Sequence, residues 1–245
     1  MLRMKDKVLS IKKNRIWFLI FFIVVGFIAL QIPVNVLAGA KVKFTLFDLF
    51  SPISGAFLGS FFGIFAVVVM QLFNLIVHGF TNIDNSSILK LAATLRFLPM
   101  AFGVWYFALS KNKTGNSRLI LLITLLSIII FNLHPVGRTV WFYSLFWFIP
   151  FLTWSFRQRF LVARSLGSTF TAHAVGGAVW IWAFNLPAGV WISLIPIVIL
   201  ERSIFALGIS AFYVLLNNLL AFSVKKKFLR SDFSFDKKYV FRFFK

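Results

Sequence analysis

Residues 41–79 read KVKFTLFDLFSPISGAFLGSFFGIFAVVVMQLFNLIVHG, and the length of this stretch decides the architecture. From Phe44 to His78 it runs 35 residues. One membrane-crossing helix takes about 20 residues and two full ones about 40. Gly55, Gly59 and Gly63 recur at every fourth position. That spacing bares the backbone on one helical face and lets another helix approach closely. We divide the stretch into two short helices, Phe44–Leu58 and Gly59–His78, a pair that crosses twice or enters and returns. Pro52 is expected to kink or break the first. Irregular backbone of this kind persists in a bilayer only where protein or a polar cavity covers it.

The rest of the chain places that pair in a membrane protein. Hydrophobic residues make up 60% of the sequence and charged residues 13%, against about 25% charged in soluble domains. The other apolar runs are Ile16–Leu37, Ile88–Ser110, Arg118–His134, Thr139–Phe156, Ser165–Phe184 and Val190–Val224. The expected fold is all-α, a polytopic transmembrane bundle of about 6–8 helices. A basic N-terminus (1–15) precedes a single helical domain (16–224), and a basic tail (225–245) follows. Ala38-Gly39-Ala40 mimics a signal-peptidase site. The apolar run before it exceeds the about 7–15 residues of a signal core, so it reads as a retained first span. Pro196, Glu201 and Gly208 are candidate bends in the long last run.

Charge fixes an orientation. The net charge is +20, and the basic residues cluster at the edges of apolar runs: six in Met1–Arg15, three in Lys111–Arg118, three in Arg157–Arg164 and eight in Lys225–Lys245. The intervening loops Gly79–Ser87, His134–Arg138 and Asn185–Gly189 hold one Arg and no Lys. The positive-inside rule then puts both termini on the cytoplasmic side of the cell membrane, with Lys41 and Lys43 as exceptions. This alternation works only if Phe44–His78 contributes two passes. The clusters suit an anionic leaflet rather than nucleic acid, and no nucleic-acid partner is expected. Phe233, Phe235, Tyr239, Phe241, Phe243 and Phe244 interleave with charges, which suggests a short amphipathic surface segment in the tail. The chain has no cysteine, so thiolate catalysis, disulfides and cysteine metal sites are excluded.

Polar groups at membrane depth are costly and therefore functional candidates. Asp48, Lys90, Arg96, His173 and Glu201 fall within apolar runs, and His134 and Arg138 fall at the outer face. Most of them gather in the outer half, where the capture cavity of an importer would open. Trp141 and Trp180 offer stacking faces for a ring-bearing ligand. Glu201 and Arg202 are neighbours and point about 100° apart on a helix. They are not expected to satisfy each other, so Arg96 or His173 is the expected partner of Glu201. Ser168, Ala172 and Gly176, like Gly55, Gly59 and Gly63, suit close packing inside the bundle or docking of another membrane subunit. No HExxH, GxSxG or Walker sequence is present, and three scattered histidines make no metal site. No catalytic residue, cofactor or metal is assigned. An intramembrane lipid-acting enzyme using His173 and Glu201 as acid–base groups, a stand-alone carrier and a structural membrane protein stay open as alternatives.

Residues 41–79 also resemble the second and third helices of substrate-binding S components of energy-coupling factor (ECF) transporters. The shared pattern is a basic-aromatic start, a short helix, a Gly-rich turn and a helix with a polar end. ILKLAATLRFLPMAFGVWYFALSKNK resembles that family's fourth helix, and LIPIVILERSIFALGISAFYVLLNNLL its last. About half of the chain is covered by the likeness. It implies capture of a vitamin-like micronutrient from outside, with a separate transmembrane coupling subunit and two ATPases as partners. Two departures stand out. The family has six helices, so the extra pair falls within Arg118–Phe184. Its small-residue motif on the first helix is not clear here, since Gly26 and Ala29 lie only three apart.

Overall fold

The computed structural model describes residues 2–36, 43–79, 97–111, 115–227 and 235–244. Arg96, Lys90 and the loop before them lie outside these. The fold is all-helical apart from a short ribbon. Among the described residues the helices are α1 (Leu2–Leu30), α2 (Leu46–Leu58), α3 (Ser60–Asn74), α4 (Phe97–Ser110), α5 (Ile120–Leu133), α6 (Pro135–Thr139), α7 (Ile149–Trp154), α8 (Leu161–Phe184) and α9 (Ala188–Lys225). A π-helical turn, Leu75–Gly79, extends α3, and a 3-10 segment, Trp141–Phe148, precedes α7. Strands β1 (Pro33–Val36) and β2 (Lys43–Thr45) pair antiparallel between α1 and α2. Two segments, Ser60–Val77 and Ala188–Lys225, are long and apolar enough to cross a membrane.

The opening stretch folds as a tight hairpin of two helices. Thr45 starts α2, and the Asp48 carboxylate accepts the Thr45 backbone N–H at 2.8 Å, closing the exposed helix end. Pro52 lies inside α2 without ending it. It has no N–H for the Asp48 carbonyl one turn earlier, so that carbonyl is left out of the helix ladder. The break comes at Gly59, whose φ of 83° and ψ of 172° are essentially reserved for glycine. The three glycines therefore do not form one stripe on one helix. Gly55 and Gly63 belong to different helices and face each other across the turn. A Cβ on Gly63 would sit 2.8 Å from the Gly55 Cα. The opposite side of Gly55 meets α4, where its Cβ would lie 2.5 Å from the Val104 carbonyl oxygen.

Three expectations change. The first span ends at Leu30 rather than Leu37. Pro33 biases the residue before it to extended backbone, and the chain turns into β1. Thr139–Phe156 is not one α-helix. It is the end of α6, the 3-10 segment and α7, with Pro150 at the start of α7. The tighter winding rises about 2 Å per residue, so Trp141 to Trp154 still reaches roughly 25 Å. Finally, α9 runs unbroken through Pro196, Glu201 and Gly208.

Two aromatic cores flank α8 and α9. One joins α1–α4 and α9 through Phe22, Phe50, Ile53, Met70, Phe107 and Tyr213. The other joins α5, the 3-10 segment, α8 and α9 through Phe131, Tyr143, Trp147, Phe170 and Trp191. Phe131 meets Trp147 and Trp191 edge-on, each at 5.0 Å between ring centres, a favourable geometry for aromatic pairs. Between α4 and α8 the backbones come close at Gly103, where the Ser168 hydroxyl donates to the Gly103 carbonyl at 2.7 Å.

The basic stretches converge on one end of the bundle. Gln158, in the α7–α8 loop, donates to the Ser110 carbonyl at 2.6 Å. Lys238 Nζ donates to the Gln158 and Arg159 carbonyls at 2.9 and 2.8 Å. Lys111 Nζ reaches the Ala56 carbonyl of α2 at 3.4 Å. Burial pushes the Lys111 ammonium below its ordinary value, while the nearby Asp236 carboxylate opposes that shift. Asp48 and the α1–α2 ribbon lie at the opposite end of α2.

Candidate functional site

Helix α8 places its polar residues on two adjacent faces. Ser168 and Ala172, four apart, turn toward α4. Thr169 and His173, one residue further on, turn toward α9 and the 3-10 segment. This offset builds a band of buried polarity in an apolar bundle.

His173 is held by two aromatic partners. Trp147 Nε1–H donates to His173 Nδ1 at 3.0 Å. The Tyr143 hydroxyl lies 3.1 Å from Nε2. An indole N–H can only donate, so Nδ1 carries no proton. The ring is then neutral, its proton sits on Nε2, and Nε2–H donates to the Tyr143 oxygen. Gly177 makes room for this arrangement, since a Cβ there would lie 2.5 Å from the Trp147 ring. Both ring nitrogens are occupied, so His173 orients the 3-10 segment against α8 and has no free nitrogen for acid–base work. Tyr143→Phe is expected to destabilise the protein by about 1–3 kcal/mol, because it strands the buried Nε2–H. Thermal unfolding measures the loss, and ¹⁵N shifts of His173 will report the Nε2–H tautomer.

Glu201 and Arg202 correct an expectation. Arg202 Nη2 donates to Glu201 Oε2 at 2.6 Å, and both side chains are buried at 7% and 5% exposure. Side-chain length closes the angle between neighbouring positions. Arg202 Nη1 also donates to Thr169 Oγ1 at 3.3 Å, and its guanidinium lies 4.6 Å from the Phe205 ring centre. The second oxygen of Glu201, Oε1, is buried and has no hydrogen-bond partner among the described residues.

Beside them is a small cavity of about 20 Å³, room for roughly one water-sized group. Asp48 and Pro52 of α2, Met100 of α4, Ser168 and Thr169 of α8, and Arg202 of α9 are among its lining residues. Helices α2, α8 and α9 thus bring an acid, a cation and two hydroxyls to one cavity, and Met100 of α4 helps to close it. Asp48 and Ala172 line it as well, while His173 and Glu201 stand in the neighbouring cluster.

The other candidates lie elsewhere. His134 caps α6, its Nδ1 accepting the Val136 N–H at 3.2 Å, and its ring meets the Trp182 edge. Arg138 is exposed, and Trp141 is 57% exposed. Trp180 packs edge-on against Phe184. None of these four lines the cavity. Gly55, Gly63, Ser168, Ala172 and Gly176 serve contacts inside the bundle, with Gly176 packing on Pro99. Gly59 makes the hairpin turn. Arg96 falls outside the described residues. Sequence reasoning missed Tyr143, Trp147 and Thr169 as partners in the polar band. The indole N–H of Trp147 inside an apolar run was the available signal.

No family model and no solved structure matches this sequence. A protein of Methanocaldococcus jannaschii, itself uncharacterized, is 28% identical over 238 residues. That match covers 90% of this chain and 75% of the relative.

Proposed function

We propose that the chain is a multi-pass integral membrane subunit that captures a small, vitamin-like solute from outside the cell, in the manner of an ECF S component. Uptake would draw on a separate coupling subunit and ATPases. The observation that carries this reading is a buried polar convergence: Asp48, Ser168, Thr169 and Arg202 line one small cavity, which must widen to admit a solute. Buried polarity of this kind persists in a membrane when it serves a substrate.

The outer surface supports the membrane part. Ile20, Val24 and Ile28 make an exposed apolar stripe on α1, and Leu122, Leu126 and Leu133 do so on α5. Such stripes suit lipid and are unlike the surface of a soluble monomer. The convergence of basic loops at one end supports cytoplasmic termini, and the short hairpin 46–74 suits the enter-and-return arrangement that this orientation allows. Asp48 then belongs to the outer half. The enzyme alternative gains nothing from the geometry, since both nitrogens of His173 are taken.

Mass spectrometry of small molecules retained by gently purified protein tests the proposal. A single solute is expected at near one equivalent, and Asp48→Asn is expected to reduce its retention at least about tenfold, the cost of one charge-assisted hydrogen bond. An empty wild-type protein that also brings down no ATPase would sink the reading.

A further inference from the structure

The C-terminal segment is held in an unusual way. Asn217 and Asn218 are adjacent on α9 and nearly fully buried, and both present their amides to the backbone of residues 236–241. Asn217 donates to the Asp236 carbonyl at 2.9 Å and accepts the Asp236 N–H at 2.7 Å. Asn218 donates to the Tyr239 carbonyl at 2.8 Å and accepts the Phe241 N–H at 2.7 Å. Side-chain amides thus take the place of a neighbouring strand. Val240 turns inward and is buried, and Tyr239 meets the Tyr213 ring edge-on. Lys238 ties the same segment to the α7–α8 loop.

Because the hold is on the backbone, the side chains on the outer side are left to face away. Phe241 is 55% exposed and Phe243 is 90% exposed. Lys237 and Arg242 are exposed beside them, as are Lys225, Lys226 and Lys227 at the end of α9. Two outward aromatic rings within a ring of cations match the chemistry of an anionic lipid surface: rings at the headgroup level, cations on the phosphates.

We propose that residues 235–244 form a two-sided strap, clamped to α9 through its backbone by Asn217 and Asn218, and seated through Phe241, Arg242 and Phe243 on an anionic phospholipid leaflet. This rests on the reading of the chain as membrane-embedded. It assigns the tail a lipid partner that solute capture does not require.

The chain has no cysteine, so Phe243→Cys gives one spin-label position in the full-length protein. The labelled protein is placed in nanodiscs of phosphatidylcholine alone or with phosphatidylglycerol. Collisions are measured with oxygen, which concentrates in the bilayer, and with a water-soluble nickel chelate. With phosphatidylglycerol the label is expected to lose nickel accessibility several-fold and gain oxygen accessibility, and Arg242→Gln is expected to weaken that change. Asn218→Ala should free the label's motion and remove the lipid dependence. Should that variant not fold, Phe241→Ser on the exposed side gives the same loss of lipid dependence with the clamp intact. A label equally open to nickel in both lipids overturns the strap. Protein that is released from membranes by alkaline carbonate overturns the strap and the membrane reading together. Retained protein with an aqueous label overturns the strap alone.

Discussion

Arg202→Ala will lower the thermal unfolding midpoint by roughly 6–20 °C in detergent. The substitution strands Glu201 in a buried position, and breaking a buried pair from one side costs about 3–5 kcal/mol. For a chain of this size each kcal/mol corresponds to about 2–4 °C. The loss includes the Thr169 bond and the contact with the Phe205 ring. Removing both charges is a different experiment. Glu201→Gln with Arg202→Met leaves no buried charge unpaired and should recover most of the midpoint, since apolar replacement of a buried pair is often neutral. Equal damage from the single and the double variant would show that packing, and not charge, dominates at this point of α9.

The second large effect lies in the 46–74 hairpin. Gly63→Leu should prevent assembly of the protein, because even a Cβ at that position meets Gly55 backbone at 2.8 Å. Backbone cannot swing aside as a side chain can, so α2 and α3 must separate. Overpacking of lesser severity already costs about 1–3 kcal/mol. Gly59→Ala isolates a different cause. Nothing lies within 4 Å of a Cβ there, yet φ is 83°, so strain alone is expected to cost about 1–3 kcal/mol. Gly189 is also open, without an unusual φ, and its alanine variant should behave as wild type. Yield of folded protein and unfolding midpoints separate the three.

The hairpin was the most legible part of the sequence. Length and loop charge together divided it between Leu58 and Gly59, and the structure turns at Gly59. Asn185, within the Asn-Leu-Pro-Ala-Gly turn signal, ends α8 in a left-handed conformation. What the sequence hid was geometry set by tertiary packing. Periodicity does not separate a 3-10 segment from an α-helix when nearly every position is apolar, so Thr139–Phe156 read as one span. Helical angles alone argued against a Glu201–Arg202 pair, because the reach of an Arg side chain is not a property of the wheel. His134 looked like a binding residue at the outer face, and its Nδ1 instead closes a helix start. The tail's aromatic pattern was visible, but the Asn217–Asn218 clamp was not, since two asparagines in an apolar run carry no direction.

Helix α9 has 38 residues, a rod of roughly 57 Å. A hydrocarbon slab is about 30 Å thick and spanning helices tilt by about 0–40°. If α9 spans such a slab, then even at the steep end of that range roughly 18 Å of the rod emerges from it. Asn217 stands roughly 44 Å along it, close to where a steeply inclined helix leaves hydrocarbon. The two amides that grip residues 236–241 would then sit where the solvent changes, and the exposed turn beyond them would meet headgroups and water.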